Sequence, residues 1–243
     1  MIVLLHTQGF PQDQEPSARH RAHIAVVSPV TRTEAFLEKL RIDYDSRALG
    51  ALTSFYFPEQ APAVIETAAD ARAAEAGITA EALAAAKSGA NAIVVSCFSD
   101  PGVQAASAAT GIPVLGEGRP SIAAAGALFD RFSILSSQSS TIEAKRQQVD
   151  ELGLTDCLHR ITGLDIGVAE LTSARAPEIA DFVAAEAAGG AKAVILGCTG
   201  LEPGFTIAVR RQVHRLGLST AVIDPVEVVG RLALAAAFSV GAP

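Results

Sequence analysis

Tryptophan is missing from this 243-residue chain, methionine occurs once, tyrosine twice, and aromatic residues together make up 5%. Because 49% of the residues are hydrophobic, the interior has to be filled with Ala, Val, Leu and Ile. That composition suits parallel strands buried on both faces beneath Ala-rich helices. Uninterrupted apolar runs of membrane-spanning length are also missing, since the Ala-rich segments are broken by Glu, Lys, Arg and Asp. Basic runs and aromatic-basic interleaving do not occur, and the net charge is −7, which argues against a nucleic-acid footprint or an anionic membrane surface. The expected partner is a small molecule, with no nucleic acid and no membrane, and the expected assembly is a homo-oligomer.

Cysteine is scarce as well: three residues, an odd number, are a poor disulfide framework and fit a reducing cytoplasm. The start, Met1-Ile2-Val3-Leu4-Leu5-His6, lacks the basic region of a secretion signal, so a cytoplasmic location is expected. No CxxC, HxxxH or His-carboxylate spacing surrounds Cys97 or Cys198, and no metal is expected. Gly116-Glu117-Gly118 lacks the remaining glycine of a dinucleotide fingerprint and is followed by Pro120, so no nucleotide is expected.

What the chain does have is a repeat. Gly89-Ala90-Asn91-Ala92-Ile93-Val94-Val95-Ser96-Cys97 reappears as Gly190-Ala191-Lys192-Ala193-Val194-Ile195-Leu196-Gly197-Cys198, with the cysteines in register 101 positions apart. A second pair matches it: Ile24-Ala25-Val26-Val27-Ser28 and Ser133-Ile134-Leu135-Ser136-Ser137 each run into hydroxyl residues. Short apolar runs bounded by Gly, Pro or Ser predict buried strands over 23–28, 92–97, 112–116, 132–136, 193–198 and 220–224. Ala-rich runs with spaced charges predict helices over 33–40, 78–88, 103–110, 121–129, 141–152, 176–188, 205–216 and 226–238. Residues 1–22 fall outside the repeat and read as an extra strand followed by a loop.

Strands alternating with helices at this spacing imply βαβ units with right-handed crossovers. The predicted fold is α/β: two pseudo-symmetric lobes, each a parallel sheet flanked by helices. Lobe 1 is expected over 1–117, completed by 221–243, and lobe 2 over 118–220. Open parallel sheets bind ligands beyond the carboxyl ends of their strands, where both cysteines are placed. The site is therefore expected in the cleft between the lobes.

Two opposed acid/base groups are what inversion of a carbon stereocentre requires. Asp100-Pro101 after Cys97, and Glu202-Pro203 after Cys198, read as helix starts, which would put each thiol at a helix mouth and lower its pKa from about 8.5 toward neutrality. The amides of Phe98, Ser99, Thr199 and Gly200, with the hydroxyls of Ser136 and Ser137, are candidates to hold an oxyanion as a proton leaves the carbon beside a carbonyl. Cys97 and Cys198 would then exchange the roles of base and acid. Cys157 has no counterpart in the repeat and reads as structural. Phe55-Tyr56-Phe57 is either core or a pocket wall, and His20 and His23 fit a solvated loop as well as a ligand role.

The segments Ser96-Cys97-Phe98-Ser99-Asp100-Pro101-Gly102, Gly111-Ile112-Pro113-Val114-Leu115-Gly116, Arg131-Phe132-Ser133-Ile134-Leu135-Ser136-Ser137 and Val194-Ile195-Leu196-Gly197-Cys198-Thr199-Gly200 resemble the aspartate/glutamate/hydantoin racemase superfamily, most closely its hydantoin and allantoin racemase branch. The resemblance covers about residues 23–238. It implies cofactor-independent racemisation by paired cysteines in a two-lobed fold. Ser28-Pro29-Val30-Thr31 stands where such enzymes usually have Asn-Pro-Asn, leaving Ser28 as the substrate-facing residue of that loop. Ser136 and Ser137 replace paired threonines, and Gly200 replaces the histidine of glutamate-type enzymes. These departures favour a ring such as a 5-substituted hydantoin or related cyclic ureide over a free amino acid. An amino-acid racemase, a maleate-type cis-trans isomerase, an arylmalonate-type decarboxylase and a non-catalytic two-lobed binding module are the alternatives.

Overall fold

The computed structural model describes residues 22–45, 51–199 and 201–239. The strand and loop expected over 1–22 lie almost wholly outside the described residues. Among these residues the strands form two four-stranded parallel sheets of identical order. The first holds β1 (His23–Val27), β2 (Leu52–Tyr56), β3 (Ala92–Val95) and β4 (Val114–Gly116) in the order β2-β1-β3-β4. The second holds β5 (Phe132–Ser136), β6 (Leu158–Gly163), β7 (Ala193–Leu196) and β8 (Ala221–Ile223) in the order β6-β5-β7-β8.

The helices are α1 (Glu34–Asp45), α2 (Ala68–Lys87), α3 (Val103–Thr110), α4 (Gly118–Leu128), α5 (Ile142–Glu151), α6 (Ala176–Ala188), α7 (Phe205–Arg215) and α8 (Pro225–Ser239). Successive side chains of a strand point to opposite faces, and both faces of each sheet are covered. Ile24, Val26 and Val94 pack with Leu40 and Tyr44 of α1 and Val229 and Ala233 of α8. Ala25, Val27, Ile93 and Val95 pack on the other side with Ile78 and Ala82 of α2 and Ala106 of α3. This double burial is why the central strands read as unbroken apolar runs.

In the second sheet Leu135, Val194 and Leu196 face α6 and α7, while Ile134, Ala193 and Ile195 face Ile122 and Ala125 of α4 and Val149 of α5. The last helix of each half thus crosses over. α4 follows β4 yet completes the second core, and α8 follows β8 yet completes the first. Residues 221–223, assigned to the first lobe from the sequence, are β8 and pair with β7; the return to the first lobe begins with α8.

The central elements fall where the sequence places them, and α3 and α6 match to the residue. Two edge strands, β2 and β6, were not foreseen. α2 is also longer than expected, beginning ten residues earlier with a capping box in which Thr67 and Asp70 satisfy each other's backbone amides. Phe55 and Phe57 lie against the α1/α8 core and Tyr56 against the α2/α3 core, which decides their role as packing.

Candidate functional site

Register sets up the site. Val27 pairs with Val95, and Ser96 donates its amide to Val27 O at 3.0 Å. Leu135 pairs with Leu196, and Gly197 donates to Leu135 O at 2.7 Å. Cys97 and Cys198 therefore leave the carboxyl ends of equivalent central strands. Cys198 is near enough for its negative charge to oppose ionisation of Cys97.

The approach to the helices differs from expectation. α3 starts at Val103 behind Gly102 and α7 at Phe205 behind Gly204, so a loop separates each thiol from the helix that follows it. Asp100 does not cap α3. It sits in the left-handed region at φ 53°, and its carboxylate accepts from the amides of Gly118 at 2.8 Å and Arg119 at 2.7 Å, capping α4 from outside. Gly116 is what leaves room, because a Cβ there would stand 1.9 Å from Asp100 Oδ1.

The thiol of Cys97 is consequently not lowered. Burial pushes it up to about 12, opposed by the amide of Ser99 and reinforced by the negative charges of Glu117, Asp100 and Cys198. Asp100 itself is raised to about 6 by burial, against the two α4 amides, Arg119 and Gln148.

Of the other expected site residues, Ser28 is fully buried beyond β1 and its hydroxyl closes a local turn with the amide and carbonyl of Val30. Phe98 sends its ring into the second lobe's core, and its carbonyl accepts from Gln148 at 3.0 Å. Ser99 directs its amide at the Cys97 sulfur. Ser136 is buried, donating to Gln138 O at 2.9 Å and lying 2.8 Å from Thr141 Oγ1. Ser137 and Cys198 line one small cavity together. Thr199 lines a neighbouring one with Cys198, Asp43 and Asp224. Gly200 lies outside the described residues.

Cys157 packs at the edge of the α4/α5 core, as its isolation in the sequence suggested. His23 stands at the opposite, amino end of β1 and meets Ser54 Oγ at 2.7 Å.

Three residues near the thiols escaped the sequence reading. Glu117, first residue after β4, is fully buried, and burial raises its carboxyl to about 7 against hydrogen bonds from Tyr44, Thr199 and Ser96 and the charge of Lys39. Among the described residues its Oε2 has no hydrogen-bond partner. Lys39 of α1 donates to Asp43 at 2.5 Å and to Thr199 O at 3.2 Å. Lys145 of α5 is buried and interacts with both cysteines. A lone acid after a predicted strand was the available signal for Glu117; nothing local marked the lysines. Among the described residues no cluster of His, Cys, Asp and Glu could hold a metal ion, and no helix is long and apolar enough to cross a membrane.

A doubled parallel α/β unit with a cysteine at each equivalent strand end agrees with the resemblance to the Asp/Glu/hydantoin racemases read from the sequence. That family's description matches residues 24–233, and the chain belongs to it. The hydantoin racemase of Paenarthrobacter aurescens is 32% identical over 191 residues, 76% of this chain and 78% of that enzyme. The hydantoin racemase of Rhizobium meliloti is 28% identical over 149 residues, 60% of this chain and 62% of that enzyme, so the match spans under two thirds of its length. Among solved structures, an allantoin racemase from Klebsiella pneumoniae superposes with a TM-score of 0.78 at 22% identity, covering 91% of this chain and 90% of that one. At that identity the likeness is one of fold.

Proposed function

We propose that the protein is a cofactor-independent racemase that inverts the stereocentre of a 5-substituted hydantoin or related cyclic ureide. One of Cys97 and Cys198, as thiolate, removes the α-proton from one face, and the other, as thiol, delivers a proton to the opposite face. The bond from the carbon to its hydrogen breaks toward the first sulfur and a new one forms from the second, so the pair ends with its protonation exchanged. The observation that carries this reading is the placement of the two thiols at equivalent strand ends, with Cys198 close enough to act on the ionisation of Cys97. The hydantoin racemases among its relatives support the substrate class.

Burial of Cys97 supports the same chemistry. A thiol held high is a poor resting nucleophile but a strong base once ionised, as removal of a weakly acidic carbon-bound proton demands. Ser137 and Thr199, which line the cavities shared with Cys198, are proposed to orient the ring. Assembly as a homo-oligomer and a cytoplasmic setting accompany this reading.

The test is incubation of the purified protein in D₂O with single enantiomers of a 5-substituted hydantoin and of aspartate, and with maleate. Loss of optical activity with α-deuteration of the hydantoin is expected. Turnover of aspartate or maleate without the hydantoin would replace the substrate class, and binding without exchange would replace catalysis by a binding role.

A further inference from the structure

Each lobe sends a lysine from the helix after its first strand toward the residue that follows the other lobe's cysteine. Lys39 of α1 reaches Thr199 O at 3.2 Å, and Lys145 of α5 holds its Nζ 5.3 Å from the centre of the Phe98 ring. The two differ in how their charge is met. Lys39 is paired with Asp43. Lys145, 4% exposed, donates to Thr141 Oγ1 at 2.9 Å, and the ionisable groups acting on it are Cys198 and Cys97.

Its position is fixed at both ends. A Cβ on Gly197 would stand 3.1 Å from Lys145 Cε, so the side chain runs beside the residue that precedes Cys198. Its ammonium then lies over the ring of the residue that follows Cys97. Thr141, which receives it, is tied to Ser136 at 2.8 Å at the end of β5. A buried ammonium facing hydroxyl and ring alone is costly, and burial does pull it below the usual lysine range. Among the described residues the other charged groups facing the thiols are acidic or paired: Glu117 and Asp100 beside Cys97, Asp43, Glu202 and Asp224 on the cavity that Cys198 lines, and Lys39 held by Asp43.

We propose that Lys145 is the shared counter-cation of the cysteine pair, holding one negative charge between Cys97 and Cys198 throughout the cycle. In the form that enters the cycle, one of the two sulfurs is ionised and the charge is its thiolate. When that thiolate takes the α-proton, the electron pair passes to the substrate as an enolate, and when the opposite thiol returns a proton the charge arrives on the second sulfur. The net charge beside the ammonium is the same at each stage, so neither direction of racemisation is favoured by it. Lys145 acts through the thiols and is a positioning residue. The proposal rests on the two-cysteine reading above.

The test needs no substrate: a pH titration of thiolate absorbance in the wild type, Lys145→Arg and Lys145→Met, with Cys97→Ser and Cys198→Ser to assign the signal. Lys145→Met is expected to move the first thiolate upward by about one to two pH units, roughly ten- to a hundredfold less thiolate at a given pH below the transition. Lys145→Arg is expected to keep most of the wild-type value. Lys145→Gln, whose amide can still reach Thr141, gives the same comparison if the methionine variant does not fold. A neutral variant titrating like the wild type overturns the proposal. A shifted titration in a protein that leaves hydantoins untouched upholds Lys145 and removes the substrate instead.

Discussion

Lys39 of α1, in the first lobe, donates to the backbone carbonyl of Thr199, the residue after Cys198 in the opposite lobe, at 3.2 Å. Beside it the buried carboxyl of Glu117, just after β4, is bonded from its own lobe by Tyr44 and Ser96 and faces the charge of Lys39 and the side chain of Thr199. The loop that carries the second thiol is therefore held by side chains of the first lobe.

Glu117 also makes stability depend on pH. Its carboxyl is raised from an ordinary 4.5 to about 7, so the folded state binds the proton more tightly, and stability is fully present below about 4.5 and lost as pH rises through about 7. Glu117→Gln should remove this dependence. Relative to wild type it is expected to gain between pH 5 and pH 8, by no more than about 3 kcal/mol, in denaturant melts at the two pH values. A difference that does not change with pH would contradict the assignment.

Asp100 stabilises the start of α4 while occupying a left-handed backbone position. Asn tolerates that conformation but offers one acceptor oxygen in place of two, whereas Ala has neither advantage. Urea unfolding should therefore rank wild type above Asp100→Asn above Asp100→Ala, the last down by about 2–4 kcal/mol. Equal losses would mean that the cap, not the backbone, accounts for the whole effect.

Glu186 in α6 is buried under the second sheet and accepts from Ser133, Thr162 and Arg160. Burial would raise its carboxyl, but these donors outweigh it and the group is lowered. Its contribution is present above its unfolded pKa and lost as pH falls through the folded one. Arg160→Met should leave the carboxylate to Ser133 and Thr162 alone and, with Arg160 half exposed, cost about 1–2 kcal/mol near neutrality, with a smaller loss in acid. Thermal melts across the acid range check both the size and the sign.

Legibility in the sequence followed the range of the interactions involved. The central strands were readable because burial on both faces forces an unbroken apolar run, as in Ala92–Val95 and Ala193–Leu196. The edge strands were not: Leu158–Gly163 mixes His, Arg and Thr with Leu and Ile because it is only partly covered. The Asp100-Pro101 and Glu202-Pro203 signals were real polar punctuation with the wrong owner. Asp100 caps α4, and Glu202 accepts from the Ser173 amide at 2.5 Å. The cysteines announced themselves by repetition. Lys145 could not, since what distinguishes it is burial beside residues brought together only by the lobes' packing, and Glu117 offered no more than its place after a predicted strand.

The most direct measurement of the two-cysteine account follows the α-hydrogen of one hydantoin enantiomer in D₂O at low conversion, separating product from recovered substrate. Opposed thiols predict deuterium in the product from its first appearance, protium retained in the recovered substrate, and racemisation slowed by roughly two to four decades in Cys97→Ser and in Cys198→Ser. Deuterium entering the recovered substrate as fast as product forms, or either serine variant racemising at the wild-type rate, would contradict it.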